Sequence, residues 1–311
     1  MGEDPVRREY LWERRYRATM PFGRKGVAVM ASSAVDQALW DIAGKDAGKP
    51  VYELLGGPTK DEIPAYASNL HPVDMGKLEL EALQYAEAGF DTMKLRFLHG
   101  PEAGRSGMKK NEEIVKTVRD AVGDEIEIAG DAYMGWSVTY AKKMVDRLEP
   151  YDMAWVEEPV IADDISGYAE IREVAPMPIS GGEHEFTRWG HENLLEQEAV
   201  DILQPDVGRV GGISEMKKIA DMAEVHDVPV IPHAGTNPTL HTIAGHTNMP
   251  MAEYFPIPQW FEEHQDDQES TYADAIFQNP PSPENGSIPL PDEPGVSTQL
   301  NHEALEHFAV E

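Results

Sequence analysis

Asp201-Ile-Leu-Gln-Pro-Asp206 and Asp227-Val-Pro-Val-Ile-Pro-His233 are two short apolar runs, each ending in a side chain that can handle protons. Between them, Gly212-Ile-Ser-Glu-Met-Lys-Lys-Ile-Ala-Asp-Met-Ala-Glu224 sets Ile213, Met216, Ile219, Ala220 and Ala223 at helical spacing. Strand, helix and strand in that order make the two strands parallel neighbours in one sheet. Asp206 and His233 then fall side by side at the C-terminal ends of adjacent strands. An Asp that accepts a hydrogen bond from one imidazole nitrogen fixes the tautomer and leaves the other nitrogen free to act as a base. The alternative is a His that ends a strand beside a solvated Asp, and the pair alone does not decide between them.

Working outward, the same alternation recurs. Strand patterns fall at residues 63–68, 92–97, 126–129, 154–156, 177–180 and 251–255, and helical patterns at 76–88, 111–122, 138–148, 165–174 and 189–198. With the two opening runs this makes eight strands over about 200 residues, the length of a (β/α)8 TIM-type barrel or one with a modified first unit. Residues 1–60 form a separate leading segment. A charged helix and tail precede the loop Pro21-Phe-Gly-Arg-Lys-Gly26. A second helix follows at about 27–45, with Ala34, Val35, Ala38, Leu39 and Ile42 expected on its buried face and Gly48-Lys-Pro50 as its stop. Residues 61–256 form the barrel. Residues 257–311 read as a polar, Pro-rich cover, with a hairpin turn at Asn285-Gly286 and a short helix at 302–308.

Composition excludes several classes. The chain has no Cys, so neither disulfides nor thiolate chemistry enter. No run of about 18 apolar residues crosses a membrane, and the N-terminus lacks the apolar core of a signal peptide, which predicts a cytoplasmic address. Asp plus Glu number 56 against 26 Lys plus Arg, a net charge of −30. That charge repels nucleic acid and anionic membranes. Spread over the whole chain with Lys sparse, it reads as halophilic adaptation of the surface.

In a barrel of this kind chemistry collects at the C-terminal ends of the strands. The polar residues there are Lys94 and Arg96 on the second strand, Asp131 on the third, Glu157 on the fourth, Glu183 on the fifth, Asp206 on the sixth, His233 on the seventh and Glu253 on the eighth. Asp131, Glu157 and Glu183 are spaced 26 residues apart, one strand–helix unit each, which predicts that all three occupy the same level. Three converging carboxylates repel unless a hard cation sits among them, and Mg2+ takes oxygen ligands while leaving positions for substrate. Removing the proton α to a carboxylate builds an enediolate, whose charge a divalent cation stabilises, with His233 placed as the base.

Assembled in this way, the sequence resembles the mandelate racemase branch of the enolase superfamily. The resemblance rests on Ala34-Val-Asp-Gln-Ala-Leu-Trp-Asp-Ile-Ala-Gly-Lys45, Trp155-Val-Glu-Glu-Pro159, Gly182-Glu-His-Glu-Phe-Thr-Arg188, Asp201-Ile-Leu-Gln-Pro-Asp-Val207, Val228-Pro-Val-Ile-Pro-His233 and Ala252-Glu-Tyr-Phe255. Together these stretches cover nearly all of the chain from about residue 10. Gly-Glu-His-Glu and the second-strand Lys-Leu-Arg look most like the sugar-acid dehydratases, nearest to the L-rhamnonate dehydratases.

The resemblance implies Mg2+ on Asp131, Glu157 and Glu183, with Glu158 supporting them. It makes His233 the base oriented by Asp206, and gives Glu253 a hydrogen bond to the substrate carboxylate. Many relatives carry Lys-x-Lys on the second strand, the second Lys being an opposing base. Here Arg96 stands there, and Arg holds its proton too strongly to serve as a base. One-sided dehydration of an aldonic acid to a 2-keto-3-deoxy acid is therefore expected, with Lys94 and Arg96 on the carboxylate. Tyr133 and His184 contact the polyol, assist as acids, or serve only as structural hydrogen-bonders. Epimerase, racemase or cycloisomerase chemistry of the same superfamily, and a non-catalytic relative, are the alternatives.

Family members open with an α+β capping domain of which residues 1–60 match only a remnant, so the gene start is expected upstream. Without the rest, water enters the site and selectivity weakens. Family habit also implies a homo-oligomer, as dimers or octamers.

Overall fold

The computed structural model describes residues 2–72, 74–256 and 276–309. Strands β1 (Glu62–Leu70), β2 (Thr92–Arg96), β3 (Glu127–Asp131), β4 (Met153–Glu157), β5 (Ile179–Gly181), β6 (Ile202–Leu203) and β7 (Ala252–Tyr254) are all parallel, in the order β6-β5-β4-β3-β2-β1-β7. A short β8 (Ser287–Pro289) runs antiparallel to β1. The expected seventh strand, residues 227–233, is not a regular strand, because Pro229 and Pro232 carry no N–H for the ladder. It still lies as a parallel neighbour of β6. Leu203 N–H donates to Pro229 O at 3.0 Å, Ile231 N–H to Leu203 O at 2.9 Å and His233 N–H to Pro205 O at 3.1 Å. On its other side Gly235 N–H reaches Glu253 O at 2.8 Å. The ring of strands closes through this segment into the expected barrel.

Tyr66, Ala129, Trp155, Ile202 and Ile231 form one buried cluster. They come from β1, β3, β4, β6 and the Pro-rich segment. Side chains from opposite walls touch, Tyr66 and Trp155 meeting edge-on at 5.3 Å, so the interior is filled rather than a pore.

Helices α1 (Arg8–Thr19), α2 (Val27–Ala47) and α3 (Val51–Leu54) lead into the barrel. Each of the first seven staves is then followed by a helix, giving α4 (Met75–Glu87), α5 (Gly104–Val122), α6 (Val138–Leu148), α7 (Ile165–Arg172), α8 (Thr187–Glu196), α9 (Ile213–Val225) and α10 (Asn237–Gly245). Side-chain oxygens of Asp74, Ser137 and Asp164 cap α4, α6 and α7. Helix α10 has no counterpart in the sequence reading.

The buried face of α2 also differs from expectation. Val35 and Ile42 are exposed, while Val29, Ser33, Asp36, Trp40 and Gly44 are buried. Polar pairing turned the helix: Asp36 accepts from the Ser214 N–H at 2.9 Å and from its hydroxyl at 2.8 Å, and Ser33 Oγ accepts from Gly211 N–H. These contacts anchor α2 on the start of α9.

Within the expected C-terminal cover, residues 257–275 lie outside the described residues. Beyond them, Asn285 and Gly286 both have positive φ, 50° and 75°, the requirement of the hairpin turn they form between Glu284 and Ser287. Helix α11 (His302–Phe308) lies where the sequence places it. Among the described residues no helix is long and apolar enough to cross a membrane.

Candidate active site

Register decides which side chains share a level. Arg96, Asp131, Glu157 and Ser180 are Cα partners across β2, β3, β4 and β5. Asp131 and Glu157 therefore lie level, as their spacing suggests. Glu183 does not share that level, because Ser180 is the partner of Glu157 and Glu183 lies three residues further on, beyond the end of β5.

The proton-handling pair forms as expected. His233 Nδ1 lies 2.8 Å from Asp206 Oδ2, while Asp206 Oδ1 accepts from the Gly208 N–H at 2.6 Å. The other imidazole nitrogen, Nε2, faces Glu183 Oε1 at 3.7 Å and Glu253 Oε2 at 3.9 Å. Burial alone lowers the pKa of His233. The Asp206 hydrogen bond and the charges of Glu253, Glu183 and Asp206 outweigh it and raise the value to about 9.

Each carboxylate of the expected metal trio carries a basic side chain. Arg96 pairs with Asp131 at 3.3 Å, Lys94 with Glu157, and Arg209 with Glu183 at 3.2 Å. Lys94 is only 3% exposed and also reaches Glu253 Oε1 at 2.8 Å, whereas the Arg96 side chain is 46% exposed. Glu157 Oε2 accepts from Trp155 Nε1 at 3.0 Å and Gln204 Nε2 at 2.7 Å. Glu253 accepts from Ser68 Oγ at 2.6 Å and from the Ala234 N–H at 2.8 Å. Burial acts to raise the pKa of Glu253, but Lys94, His233 and the Ala234 N–H bring it down to about 2. Glu253 is thus an ionised acceptor, and donating to a substrate carboxylate would first require proton uptake.

Asp131 shows the opposite balance. Burial, then the charge of Glu157, push it up to about 7 despite Lys94 and Arg96. Crowded, buried carboxylate oxygens with like-charge repulsion, as at Asp131 and Glu157, are a donor set that a hard divalent cation offsets, so this pair fits Mg2+. Glu183 also belongs to a second grouping. Glu158, Glu183 and His184 bring ligand atoms within 4.8 Å of one another. His184 Nδ1 sits 2.9 Å from both oxygens of Glu158, a pairing that raises its pKa. Tyr133 stands at the rim, 54% exposed, with its ring 5.6 Å from His184 and 5.5 Å from the Arg96 guanidinium.

All the residues named from the sequence thus gather at one end of the barrel. Four further participants went unrecognised there. Ser68 and Trp155 are inward-facing strand residues, Trp155 two positions before Glu157, a signal that period-two alternation could have supplied. Gln204 lies within the Asp201–Asp206 stretch quoted at the outset, and Arg209 three residues beyond its end.

Comparison with known proteins identifies the family and the fold. Residues 77–304 match the enolase C-terminal domain-like family, and residues 1–56 match the N-terminal domain family of mandelate racemase and muconate lactonizing enzyme. The chain is 37% identical over 306 residues to the "Putative L-rhamnonate dehydratase" of Caldivirga maquilingensis, covering 96% of this chain and 71% of that protein. Among solved structures, the 3,6-anhydro-D-galactonate cycloisomerase of Zobellia galactanivorans is similar with a TM-score of 0.88 and 30% identity, over 100% of this chain and 84% of that one. The rhamnonate dehydratase of Gibberella zeae complexed with Mg is similar with a TM-score of 0.87 and 32% identity, over 100% and 75%.

Proposed function

The chain belongs to the mandelate racemase/muconate lactonizing enzyme family of the enolase superfamily, and from that premise we propose that it is an Mg2+-dependent sugar-acid dehydratase acting on L-rhamnonate or a close aldonic acid. The names of the Caldivirga and Gibberella relatives support the substrate class, and the Gibberella complex supports the metal. Asp131, Glu157 and Glu183 are the proposed ligands. Bound there, Mg2+ supplies charge stabilisation as the carbon next to the substrate carboxylate loses its proton.

The observation that carries the reading is the one-sided placement of proton-handling groups. His233 presents Nε2 to the mouth, with Nδ1 tied to Asp206. Opposite it, the second strand offers no base. Position 96 holds an arginine, a side chain that does not serve as a base, and Lys94, buried between Glu157 and Glu253, has its pKa raised well above the ordinary value because those charges outweigh burial. Once Nε2 has given up the proton that the surrounding carboxylates favour, His233 removes the C2 proton. The imidazolium, held by Asp206, then returns that proton to the departing C3 hydroxyl, which leaves as water. The resulting enol tautomerises to the 2-keto-3-deoxy acid. Arg96 and Tyr133, the exposed pair at the rim, are placed to meet the substrate. Glu253 holds Lys94 and the 234 backbone in place, and His184 braces Glu158.

The reading extends to a cytoplasmic homo-oligomer. Its test is a panel of aldonic acids incubated with Mg2+ at high salt, with 2-keto-3-deoxy product read colorimetrically. Product from L-rhamnonate or a close relative is the expected result, and none from any aldonic acid defeats it. The cycloisomerase similarity favours a second reading, rearrangement without loss of water. Proton NMR of the same reactions separates the two by whether the C3 hydroxyl is lost.

A further inference from the structure

Arg209 is a strongly bonded cation of the mouth to which the proposed reaction gives no task. It lies on the turn after β6, where its N–H and that of Val210 both donate to Asp206 O at 2.9 Å. Its side chain then spans two carboxylates. Nε lies 3.2 Å from Asp206 Oδ2, and Nη1 lies 3.2 Å from both the side-chain Oε1 and the main-chain O of Glu183. The side chains of all three are at least three-quarters buried. The same Asp206 oxygen receives His233 Nδ1, and the same Glu183 oxygen faces His233 Nε2. One planar guanidinium therefore touches the partner of the base on one side and a proposed metal ligand on the other. A lysine, with a single ammonium, cannot make this span.

We propose that Arg209 is a positioning residue that couples the two halves of the site, competing with the divalent cation for Glu183 while sharing Asp206 with His233. The inference rests on Glu183 being a metal ligand, as proposed above. A positive charge in direct contact with Glu183 opposes a divalent cation approaching the same carboxylate. Mg2+ bound at Glu183 therefore weakens the hold of Arg209 there and leaves the guanidinium to Asp206, so loading the metal adjusts the carboxylate that orients the base. A brace serving only the turn would change stability without changing metal affinity.

The test is calorimetric titration of the intact protein with MgCl2 alone, for the wild type, Arg209→Gln and Arg209→Lys, with thermal melts run alongside. Arg209→Gln removes the competing charge and is expected to bind Mg2+ about tenfold more tightly, by roughly 1.4 kcal/mol. Its C2 proton exchange with L-rhamnonate in D2O falls, because Asp206 loses its second restraint. Arg209→Lys, which keeps the charge but not the span, stays close to wild type in Mg2+ affinity and also loses exchange; it stands in if the Gln variant does not fold. Unchanged or weaker Mg2+ binding by a folded Arg209→Gln overturns the competition, as does a gain in affinity by Arg209→Lys equal to that of Gln. A folded wild type that binds no Mg2+ at millimolar concentration overturns the metal reading itself, and the coupling with it.

Discussion

Two regions of this protein bury ionisable groups, and they treat them in opposite ways. At the barrel mouth, Glu253 is 1% exposed yet sits near pKa 2, because Lys94, His233 and a backbone N–H surround it. At the seam where α2 and α3 dock on α9 and α10, Asp36 is fully buried among neutral donors. Burial, only partly relieved by the Ser214 N–H and hydroxyl and by Arg15 at 4.0 Å, pushes it up to about 6. His241 in the same seam accepts from the Tyr52 N–H at 3.3 Å, and burial holds it down to about 4. Burial alone thus drives each seam group toward its neutral form. At the mouth, opposite charge overrides burial at Glu253 and Lys94, while Asp131 beside Glu157 is pushed up, and this tension between burial and charge is the arrangement a charge-handling site needs.

The sharpest way to break this contrast is at the mouth. His233→Asn is expected to lower C2 proton exchange and dehydration by at least about a thousandfold while Mg2+ binding and the melting temperature survive. Retained exchange, read by NMR in D2O, would sink the base assignment. Next in size is Lys94→Met, which strands Glu157 and Glu253 without their shared cation. A loss of about 3 to 5 kcal/mol in urea unfolding is expected, since breaking a buried pair leaves uncompensated charge. A loss under about 1 kcal/mol would mean that the pairing contributes little to the fold.

The seam sharpens the comparison through pH. The folded pKa of Asp36 is raised above its ordinary 3.8, so the native state binds more protons between about pH 4 and 6 and stability falls as pH rises through that window. The folded pKa of His241 is lowered from 6.5, so its contribution is present above about pH 6.5 and is lost as pH falls toward 4. At about 1.4 kcal/mol per pKa unit the two effects are each about 3 kcal/mol and largely cancel between pH 4 and 6. Asp36→Asn should therefore expose a stability that rises with pH in this window, and His241→Gln should expose one that falls by a similar amount. Urea midpoints across the window decide it, and parallel profiles for the two variants would refute the seam assignment.

Much of this was legible in one dimension. Strand–helix alternation gave the barrel, because residues alternating in hydrophobicity at period two or 3.6 need only their own neighbours to choose a state. Asp206 and His233 were recognisable as a pair because consecutive staves of a parallel barrel are spatial neighbours. Equal 26-residue spacing was a weaker guide. It placed Asp131 and Glu157 level but missed that β5 ends before Glu183. The α2 face was misjudged because helical period reports a stripe's spacing, not the partner it meets, and here the stripe carrying Ser33 and Asp36 found Gly211 and Ser214.

The succession of staves, the acids and bases at their ends and the arginine at position 96 are all readable along the linear chain. Tertiary structure alone decided which charge holds which. Lys94 between Glu157 and Glu253, and Arg209 between Asp206 and Glu183, join side chains from different staves at distances that sequence separation does not encode. The physical reason is that local propensity acts over a few residues. Ion pairing and desolvation act over a few ångströms across the closed ring, and those distances exist only once it has closed.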